Sequence, residues 1–395
     1  MFRKTVIVSA VRTAVGDFGG SLKDMDAIRL GAIVGREALN RAGLTGDEVD
    51  EAVFGCVGQY GLNAFLARMV ALQSGVRKEA SAQTVNRLCA SGLQAIVTGA
   101  MLIENGDADI VLAGGAESMS NYPYLLRGAR WGMRMGIADG MVEDALTTAL
   151  CEPCAGPKQH ICITAENIAK RYGYTREQVD AYALESQRRA KKALAEGTFQ
   201  SQIVPVEVQR KRESFIFSVD EHPRETSMEK LAALKPLLGI GGVVTAGNAS
   251  GVNDGAAAVV LMSEAQAKSL SVKPLARIVD FATAGVDPAF MGLGPIAATQ
   301  ALMRKTGLKM QDFDVVELNE AFAPQAMACI QSLELDPERV NPNGSGISLG
   351  HPIGATGAII SVKLFSEMRC CHARYGLATL CIGGGQGMSV AFESL

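Results

Sequence analysis

The sequence predicts an α/β fold made of two similar halves, each with a mixed, mainly parallel sheet, packed together and interrupted by an inserted loop domain. Three observations support this fold. The chain has 395 residues, which is too long for one small core. Short apolar strands alternate with helical stretches, a pattern typical of mainly parallel sheets covered by helices. Similar blocks also recur in the same order in the two halves of the chain.

Blocks of the first half recur in the second half at nearly constant spacing. A helical stretch that ends at glycine and leads into an apolar strand occurs twice, 264 residues apart. A strand that ends in Gly-Gly and is followed by Met-Ser also occurs twice, with an offset of 269 residues. The matched residues are Gly43 with Gly307, Asp50 with Asp314, Gly114 with Gly383 and Met119 with Met388. Between these blocks each half has a small-residue turn into a helix, so the pattern indicates an internal duplication.

The repeat suggests where the domains begin and end. We expect the first half to span residues 1–120 together with about 245–270, and the second half to span 271–395. Residues 121–244 interrupt the pattern with an arginine- and aromatic-rich stretch, which holds the only tryptophan, and a long helical stretch. We expect this segment to form a loop domain that caps a site or joins subunits.

Composition argues against several classes of partner. The net charge of −3 gives no reason to expect nucleic acid or an anionic membrane. No apolar run reaches the length of a membrane span, and there is no Arg/Ser-rich leader. The nine cysteines are an odd number and are scattered, which predicts reduced thiols in a cytoplasmic protein. Cys151 and Cys154 lack further ligands at zinc spacing, so no metal is expected.

Cys89 lies where a polar turn meets a run of small residues and an apolar helical pattern begins. Unpaired N–H groups at a helix start favour an anion, so a cysteine placed there can have a depressed pKa and act as a nucleophile. The small residues that follow, Ala90 to Gly92, leave room for a substrate near the backbone. The alternative is a buried cysteine that packs as a small apolar side chain. This turn alone leaves both interpretations open.

Three further stretches combine reactive residues with small neighbours. They are Asn319–Ala323, Gly350–Gly357 and Cys381–Gly387. Of the four stretches, two follow strands and two precede helices, in matching positions of the two halves. Ligands in such sheets bind beyond the carboxyl ends of the strands. The duplication therefore predicts that all four stretches meet at one cleft.

In this order the four stretches resemble those of the thiolase family, and the resemblance covers essentially the whole chain. It implies a duplicated α/β fold with an inserted loop domain, assembled as dimers or tetramers. It also implies Claisen chemistry on coenzyme A thioesters, the reversible condensation of two acetyl-CoA molecules to acetoacetyl-CoA and CoA. These thioesters are substrates, and no cofactor is implied.

The resemblance also assigns a role to each reactive residue. Cys89 would carry the acyl group as a thioester, and His351 would take its proton. Cys381 would remove the α-proton of acetyl-CoA, which suits a thiol whose pKa is tuned near neutral pH. Asn319, through a water, and His351 would donate to the enolate oxygen. The N–H groups of Cys89 and Gly383 would hold the thioester oxyanion.

Coenzyme A needs a long groove, and the resemblance implies its lining. The residues expected along the pantetheine path are His160, Ala246, Ser250, Ala321 and Phe322. Met291 is expected near the acyl end, and Arg224 and Lys230 are candidates for the nucleotide phosphates on charge alone. One departure concerns His160-Ile161-Cys162, where family members commonly carry His-Met-Gly. The added bulk, together with Met291, favours a four-carbon substrate.

Three alternatives to an acetoacetyl-CoA thiolase remain at this point. A broader-range 3-ketoacyl-CoA thiolase of β-oxidation differs only in chain length. A decarboxylating ketoacyl synthase shares the fold but lacks a second catalytic cysteine, so Cys381 argues against it. A non-catalytic acyl-CoA or lipid-binding protein would have no need of Cys89, His351, Cys381 and Asn319 together.

Overall fold

The computed structural model describes residues 4–132, 142–156, 159–210 and 213–395. In these ranges the strands are β1 Thr5–Thr13, β2 Gly16–Asp17, β3 Glu51–Gly55, β4 Ser81–Val85, β5 Ile110–Ser118, β6 Tyr124–Leu126, β7 Val142–Asp144, β8 Ile203–Val204, β9 Val206–Arg210, β10 Glu213–Phe217, β11 Asn253–Ser263, β12 Ala276–Gly285, β13 Val315–Leu318, β14 Tyr375–Ile382 and β15 Gln386–Ser394. The helices are α1 Ala27–Ala42, α2 Leu66–Gln73, α3 Ser91–Asn105, α4 Ala145–Ala149, α5 Cys162–Tyr172, α6 Arg176–Ala195, α7 Met228–Ala232, α8 Glu264–Ser269, α9 Gly294–Thr306, α10 Ala323–Ser332, α11 Gly346–Leu349 and α12 Thr356–Cys370.

The main sheet shows the duplication in its strand order. Its path runs β13-β14-β15-β12-β1-β11-β5-β3-β4, with β2 beside β11 and β8 beside β1. In the second half the path β13-β14-β15-β12 takes the second, third, fourth and first of four strands in chain order, and in the first half the path β3-β5-β11-β1 does the same. The sequence repeat predicts this correspondence. Gly43 and Gly307, one repeat apart, both end helices in the left-handed region, with φ of 69° and 75°. A glycine there avoids the clash that a Cβ would cause.

Strand directions in the sheet are mixed. Parallel pairing joins β3 to β4 and β5 on one side and β13 to β14 on the other. Between them, the pairs β5–β11, β11–β1, β1–β12, β12–β15 and β15–β14 are antiparallel. The halves are therefore joined edge to edge through β1 and β12, in addition to their packing. Short hairpins such as the loop between β14 and β15 can only connect antiparallel strands.

The two central helices, α3 and α12, cross at closely spaced glycines. A Cβ at Gly92 would lie 2.7 Å from the backbone nitrogen of Ala358, and one at Gly357 would lie 2.3 Å from that of Leu93. Real Cβ atoms do not approach so closely, so each glycine permits the crossing. Gly92 therefore allows the two helices to pack closely, whereas the sequence suggested that it leaves room for a substrate.

The segment Leu88–Asn105, which contains α3, is long and apolar enough by length and composition to cross a membrane, with a mean hydropathy of 1.2. The sequence interpretation excluded any run of that length. However, 56% of this segment is buried inside the protein, where α3 contacts α12, β3 and β5. A helix covered on several sides is apolar around most of its circumference. The core position of α3 accounts for its composition.

Candidate active site

Cys89 lies in a tight turn just before α3. The helix begins at Ser91, two residues later than the sequence indicated. Leu88 has a φ of 48°, an uncommon conformation for a residue with a Cβ, and its N–H donates to the Asn86 side chain at 2.9 Å. The Ser91 hydroxyl donates to the Leu88 carbonyl at 2.7 Å and accepts from the Arg87 N–H at 2.9 Å. These bonds hold the strained turn that presents the Cys89 sulfur.

The pKa of the Cys89 thiol is raised to about 11, mainly because the sulfur is desolvated. The N–H groups of Gly383 and of Cys89 itself oppose this, whereas the charges of Glu152 and Glu117 add to it. The sequence suggested a depressed pKa from the helix N-terminus, and the structure corrects that suggestion. The resting group is a thiol, so a base must remove its proton before it attacks a thioester.

His351 has the properties of that base. Its side chain is buried, and desolvation lowers the pKa of the imidazole to about 4, so it is neutral at physiological pH. Its Nδ1 lies 2.6 Å from the Thr356 hydroxyl, which lies 2.9 Å from the Pro352 carbonyl oxygen. We assign the hydroxyl proton to that carbonyl, so that the oxygen accepts from Nδ1–H. In this tautomer Nε2 keeps its lone pair and is free to accept a proton.

Thr356 is predicted to matter through this tautomer. Thr356→Val should lower kcat by about tenfold or more, because Nδ1–H loses its acceptor and a correctly oriented base contributes roughly 10²–10⁴-fold. Thr356→Ser, which keeps the hydroxyl, should retain most of the activity. Steady-state kinetics of both variants, with thermal unfolding as a check on folding, tests this role. Equal activity of the valine variant and the parent would exclude it.

Two buried polar residues hold the turn around His351. The Asn253 side-chain oxygen accepts from the His351 N–H at 2.9 Å. The Glu117 carboxylate accepts from the N–H groups of Gly354 at 2.9 Å and Val57 at 2.8 Å, and so joins the histidine turn to the end of β3. Both side chains are fully buried, so their hydrogen bonds compete with little water. The motif carrying the base is thereby tied to the first half.

Cys381 and Asn319 lie behind the cleft surface. Cys381 is fully buried at the end of β14, and burial and the neighbouring Cys89 raise its pKa well above the ordinary value. The sequence interpretation expected a pKa near neutrality, and the absence of solvent around the sulfur is the reason for the difference. The Asn319 amide nitrogen lies 3.5 Å from His351 Nε2, and its buried Oδ1 has no hydrogen-bond partner among the described residues. Such a group is open to a ligand or water.

One cleft of about 480 Å³ joins most of the predicted residues. Those that line it are Cys89, His160, Arg224, Ala246, Ser250, Met291, Ala321, Phe322, His351 and Gly383. Cys381 does not line the cleft but belongs to the apolar cluster that contains its lining residues Met291, Ala321 and Phe322. Lys230 does not line the cleft: it lies on α7 and directs its ammonium group at the Glu225 carbonyl at 3.4 Å. The sequence selected Lys230 on charge alone, which does not specify direction.

Sequence reasoning missed several residues of this region. His222 lines the cleft and is paired with Asp17, while its ring nitrogen also lies 3.3 Å from the Asn253 amide. Leu88 and the loop around Cys151 and Cys154 line the cleft as well. A possible signal for His222 was its position two residues before Arg224. The contacts with Asp17 and Asn253 span more than 30 residues of chain and have no local pattern.

Two family models match this chain and identify its family. The model for the thiolase N-terminal domain matches residues 5–265, and the model for the thiolase C-terminal domain matches residues 272–394. The chain belongs to the thiolase family. The family prediction made from the four sequence stretches is therefore confirmed, and so is the thiolase fold.

Individual thiolases resemble this chain over its full length. Beta-ketothiolase BktB of Cupriavidus necator is 52% identical, and the acetyl-CoA acetyltransferase of Syntrophomonas wolfei is 47% identical, with 100% of both chains covered in each case. The crystal structure of the Bacillus anthracis acetyl-CoA acetyltransferase superposes with a TM-score of 0.97 at 44% identity, covering 100% of this chain and 99% of that one. Human mitochondrial 3-ketoacyl-CoA thiolase in complex with CoA gives 0.94 at 42% identity, covering 100% and 98%.

The residues of the departure, His160-Ile161-Cys162, all line this thiolase's cleft. The His160 Nδ1 accepts from the Cys162 N–H at 3.2 Å, which orients the ring at the start of α5. The Cys162 side chain is buried in the apolar cluster that contains Met291 and Phe322. A glycine at this position would leave part of that volume unfilled. Cys162 is also one of the residues that line the cleft, so its side chain occupies volume there that a glycine would leave open.

Proposed function

We propose that this thiolase is an acetyl-CoA C-acetyltransferase, which condenses two acetyl-CoA molecules reversibly to acetoacetyl-CoA and CoA through an acyl-cysteine. The observation that carries the proposal is that Cys89 and the neutral His351 line one cleft, while Cys381 is buried in the apolar cluster that contains the cleft residues Met291 and Phe322. The names of several full-length relatives agree with this activity. Two thiols and a histidine at a single site serve no purpose in a protein that only binds acyl-CoA.

In the first half-reaction, His351 Nε2 takes the proton of Cys89 as the sulfur attacks the acetyl-CoA carbonyl. The oxyanion is held by the N–H groups of Cys89 and Gly383, the same groups that lie against the sulfur. Collapse of the intermediate leaves acetyl-Cys89 and the CoA thiolate, which takes a proton from Cys381. The raised pKa of Cys381 suits a thiol that must keep its proton until this thiolate is formed.

In the second half-reaction, the Cys381 thiolate removes an α-proton from a second acetyl-CoA. The enolate oxygen is held by Asn319, through a water, and by the now protonated His351. The enolate carbon attacks acetyl-Cys89, and His351 returns its proton to the departing Cys89 sulfur. Each proton removed in the cycle is thus replaced, and both cysteines end as thiols. A buried thiolate is a strong base because solvent does not stabilise its charge.

We further propose that the enzyme prefers the four-carbon substrate. Met291 is 1% exposed and closes the apolar cluster at the acyl end together with Cys162 and Phe322. A longer acyl chain would have to displace these side chains from a packed wall. The alternative is a broader-range 3-ketoacyl-CoA thiolase. The name of one full-length relative, beta-ketothiolase, is consistent with this alternative.

Chain-length preference is predicted from this wall. The kcat/KM for acetoacetyl-CoA thiolysis should exceed that for 3-ketohexanoyl-CoA by about tenfold or more, and 3-ketooctanoyl-CoA should be poorer still, since each misfit methylene costs roughly 1–3 kcal/mol. Met291→Ala and Cys162→Gly should each narrow the difference. Met303→Ala, in a separate apolar cluster, is the matched control. Equal rates on all three substrates in the parent would identify a broad-range enzyme, and an unchanged preference in both variants would remove this wall as its cause.

We propose that residues 121–244 form the loop domain, which supplies Arg224 for the CoA phosphates. We propose that residues 1–120 with 245–270 form the first half and residues 271–395 the second half.

We propose a cytoplasmic homo-oligomer, with a tetramer favoured over a dimer, that acts in fatty acid metabolism and needs no cofactor. Within the described residues, no group of three or more His, Cys, Asp or Glu could hold a metal ion. Analytical ultracentrifugation tests the assembly.

A further inference from the structure

Glu152 is a fully buried carboxylate in a loop of the segment that precedes α5. The loop is closed by hydrogen bonds from the Glu152 N–H to the Gln159 carbonyl at 2.8 Å and from the Ile161 N–H to the Leu150 carbonyl at 2.8 Å. Its neighbours Cys151 and Cys154 line the substrate cleft. The reaction outlined above does not use this residue.

The partners of the Glu152 carboxylate are backbone N–H groups. Oε2 accepts from Gly384 at 2.6 Å, and Oε1 accepts from Cys154 at 3.2 Å. No ion pair joins it to a cation among the described residues. A buried carboxylate without a cation is costly unless its hydrogen bonds are good. The short contact to Gly384 crosses 232 residues of chain, from the loop domain to the second half.

Gly384 belongs to the three-residue loop between β14 and β15. Gly384 and Gly385 have φ of 80° and 75°, so their conformation is one that glycine alone adopts readily. The Val286 N–H holds one side of this loop through the Gly385 carbonyl at 2.7 Å. Glu152 holds the other side. The Gly383 N–H, one peptide earlier, is the group that lies against the Cys89 sulfur.

We propose that Glu152 is a positioning residue, whose carboxylate holds the Gly383–Gly384 turn so that the Gly383 N–H points at Cys89. The catalytic part of this inference rests on the proposed function, because Gly383 is assigned there to the thioester oxyanion. Glu152 holds the Gly383–Gly384 peptide, which adjoins the peptide that carries the Gly383 N–H, and so limits the direction of that N–H group before substrate binds. Such preorganised donors stabilise an oxyanion without rearrangement during the reaction.

The carboxylate also acts on Cys89 through its charge. The charged groups that act on the sulfur are Glu152 from the loop and Glu117 from β5, and Cys381 from β14 is also coupled to it. The other titratable residues that line the cleft are Cys151, Cys154, His160, Cys162, His222, Arg224 and His351. Desolvation is the main reason that the pKa of the Cys89 thiol is raised, and the negative charges of Glu152 and Glu117 add to it. Removing the Glu152 charge while keeping its hydrogen bond should therefore favour the Cys89 thiolate.

Two substitutions separate the hydrogen bond from the charge. Glu152→Ala removes both and should lower kcat for acetoacetyl-CoA thiolysis about tenfold or more, approaching the roughly 10²–10³-fold cost of losing an oxyanion donor. Glu152→Gln keeps an oxygen that can accept from the Gly384 N–H, so its kcat should stay within about threefold of the parent. Glu196→Gln, an exposed carboxylate at the end of α6, is the matched control and should change neither quantity.

The second measurement is the pH dependence of Cys89 alkylation by iodoacetamide, followed by peptide mass spectrometry. Glu152→Gln should shift the alkylation midpoint to lower pH, and Glu196→Gln should leave it in place. A parent-like kcat in folded Glu152→Ala would overturn the proposal, as would a Glu152→Gln variant as slow as Glu152→Ala. An unmoved midpoint in Glu152→Gln would also count against it, and this measurement holds even if Glu152→Ala does not fold. If the parent itself shows no thiolysis, the proposed function fails, while the alkylation midpoints still report the contact.

Discussion

Cys89→Ala should lower the rate of acetoacetyl-CoA thiolysis by about 10⁴-fold or more, the scale seen when a covalent nucleophile is removed from an enzyme. The physical reason is that the acyl group then has no sulfur to carry it between the two CoA molecules. Incubation of the parent with acetyl-CoA should leave an acetyl group on Cys89. Intact-protein mass spectrometry followed by peptide mapping measures this directly.

The chain offers a matched control for this substitution. Cys370 is an exposed cysteine at the end of α12, outside the cleft lining. Cys370→Ala should keep parent-like activity and acetylation, which separates loss of the nucleophile from loss of any thiol. An acetyl group mapped to a different cysteine, with Cys89→Ala still fully active, would show that the carrier has been assigned to the wrong residue.

Cys381→Ala should keep acetylation of Cys89 but lose exchange of the acetyl-CoA methyl protons with solvent deuterium by about 10²–10⁴-fold. The α-carbon is a very weak acid and needs a strong base at close range. The first half-reaction should be slowed less, because the CoA thiolate can leave without first receiving a proton. An ordinary thiol has a pKa of about 8.5, so its thiolate is only a weak base. Mass spectrometry of the protein and NMR of acetyl-CoA in D₂O measure the two half-reactions separately.

A neighbouring buried thiol controls for packing effects. Cys329 is also fully buried and acts on the Cys381 pKa, but its sulfur lies 3.4 Å from the Gly292 carbonyl and outside the cleft lining. Cys329→Ala should therefore keep proton exchange even if it lowers the melting temperature. If proton exchange continued unchanged in Cys381→Ala, another group would have to be the carbon base.

The pKa values of the cysteines at the cleft depend on contacts between distant parts of the chain, which the sequence does not show. The turn around Cys89 suggested a depressed pKa, because only the helix start was visible locally. In the folded chain, desolvation outweighs the N–H groups and raises the pKa to about 11. Cys381 shows the same effect more strongly. Desolvation is set by what the rest of the chain packs against a group, so the direction of these shifts was settled by tertiary structure.

The sequence by itself determined the family, the duplication and the four reactive stretches, because these depend on residue order and spacing. Lys230 shows the limit of that reasoning, since charge was visible but the direction of the side chain was not. Tertiary structure alone decided the tautomer of His351 through Thr356, and the reach of Glu152 to Gly384. The reason is physical: a hydrogen bond depends on distances of a few ångströms between atoms, and residues far apart in the chain acquire those distances only when the sheet and the loop that holds Glu152 pack together.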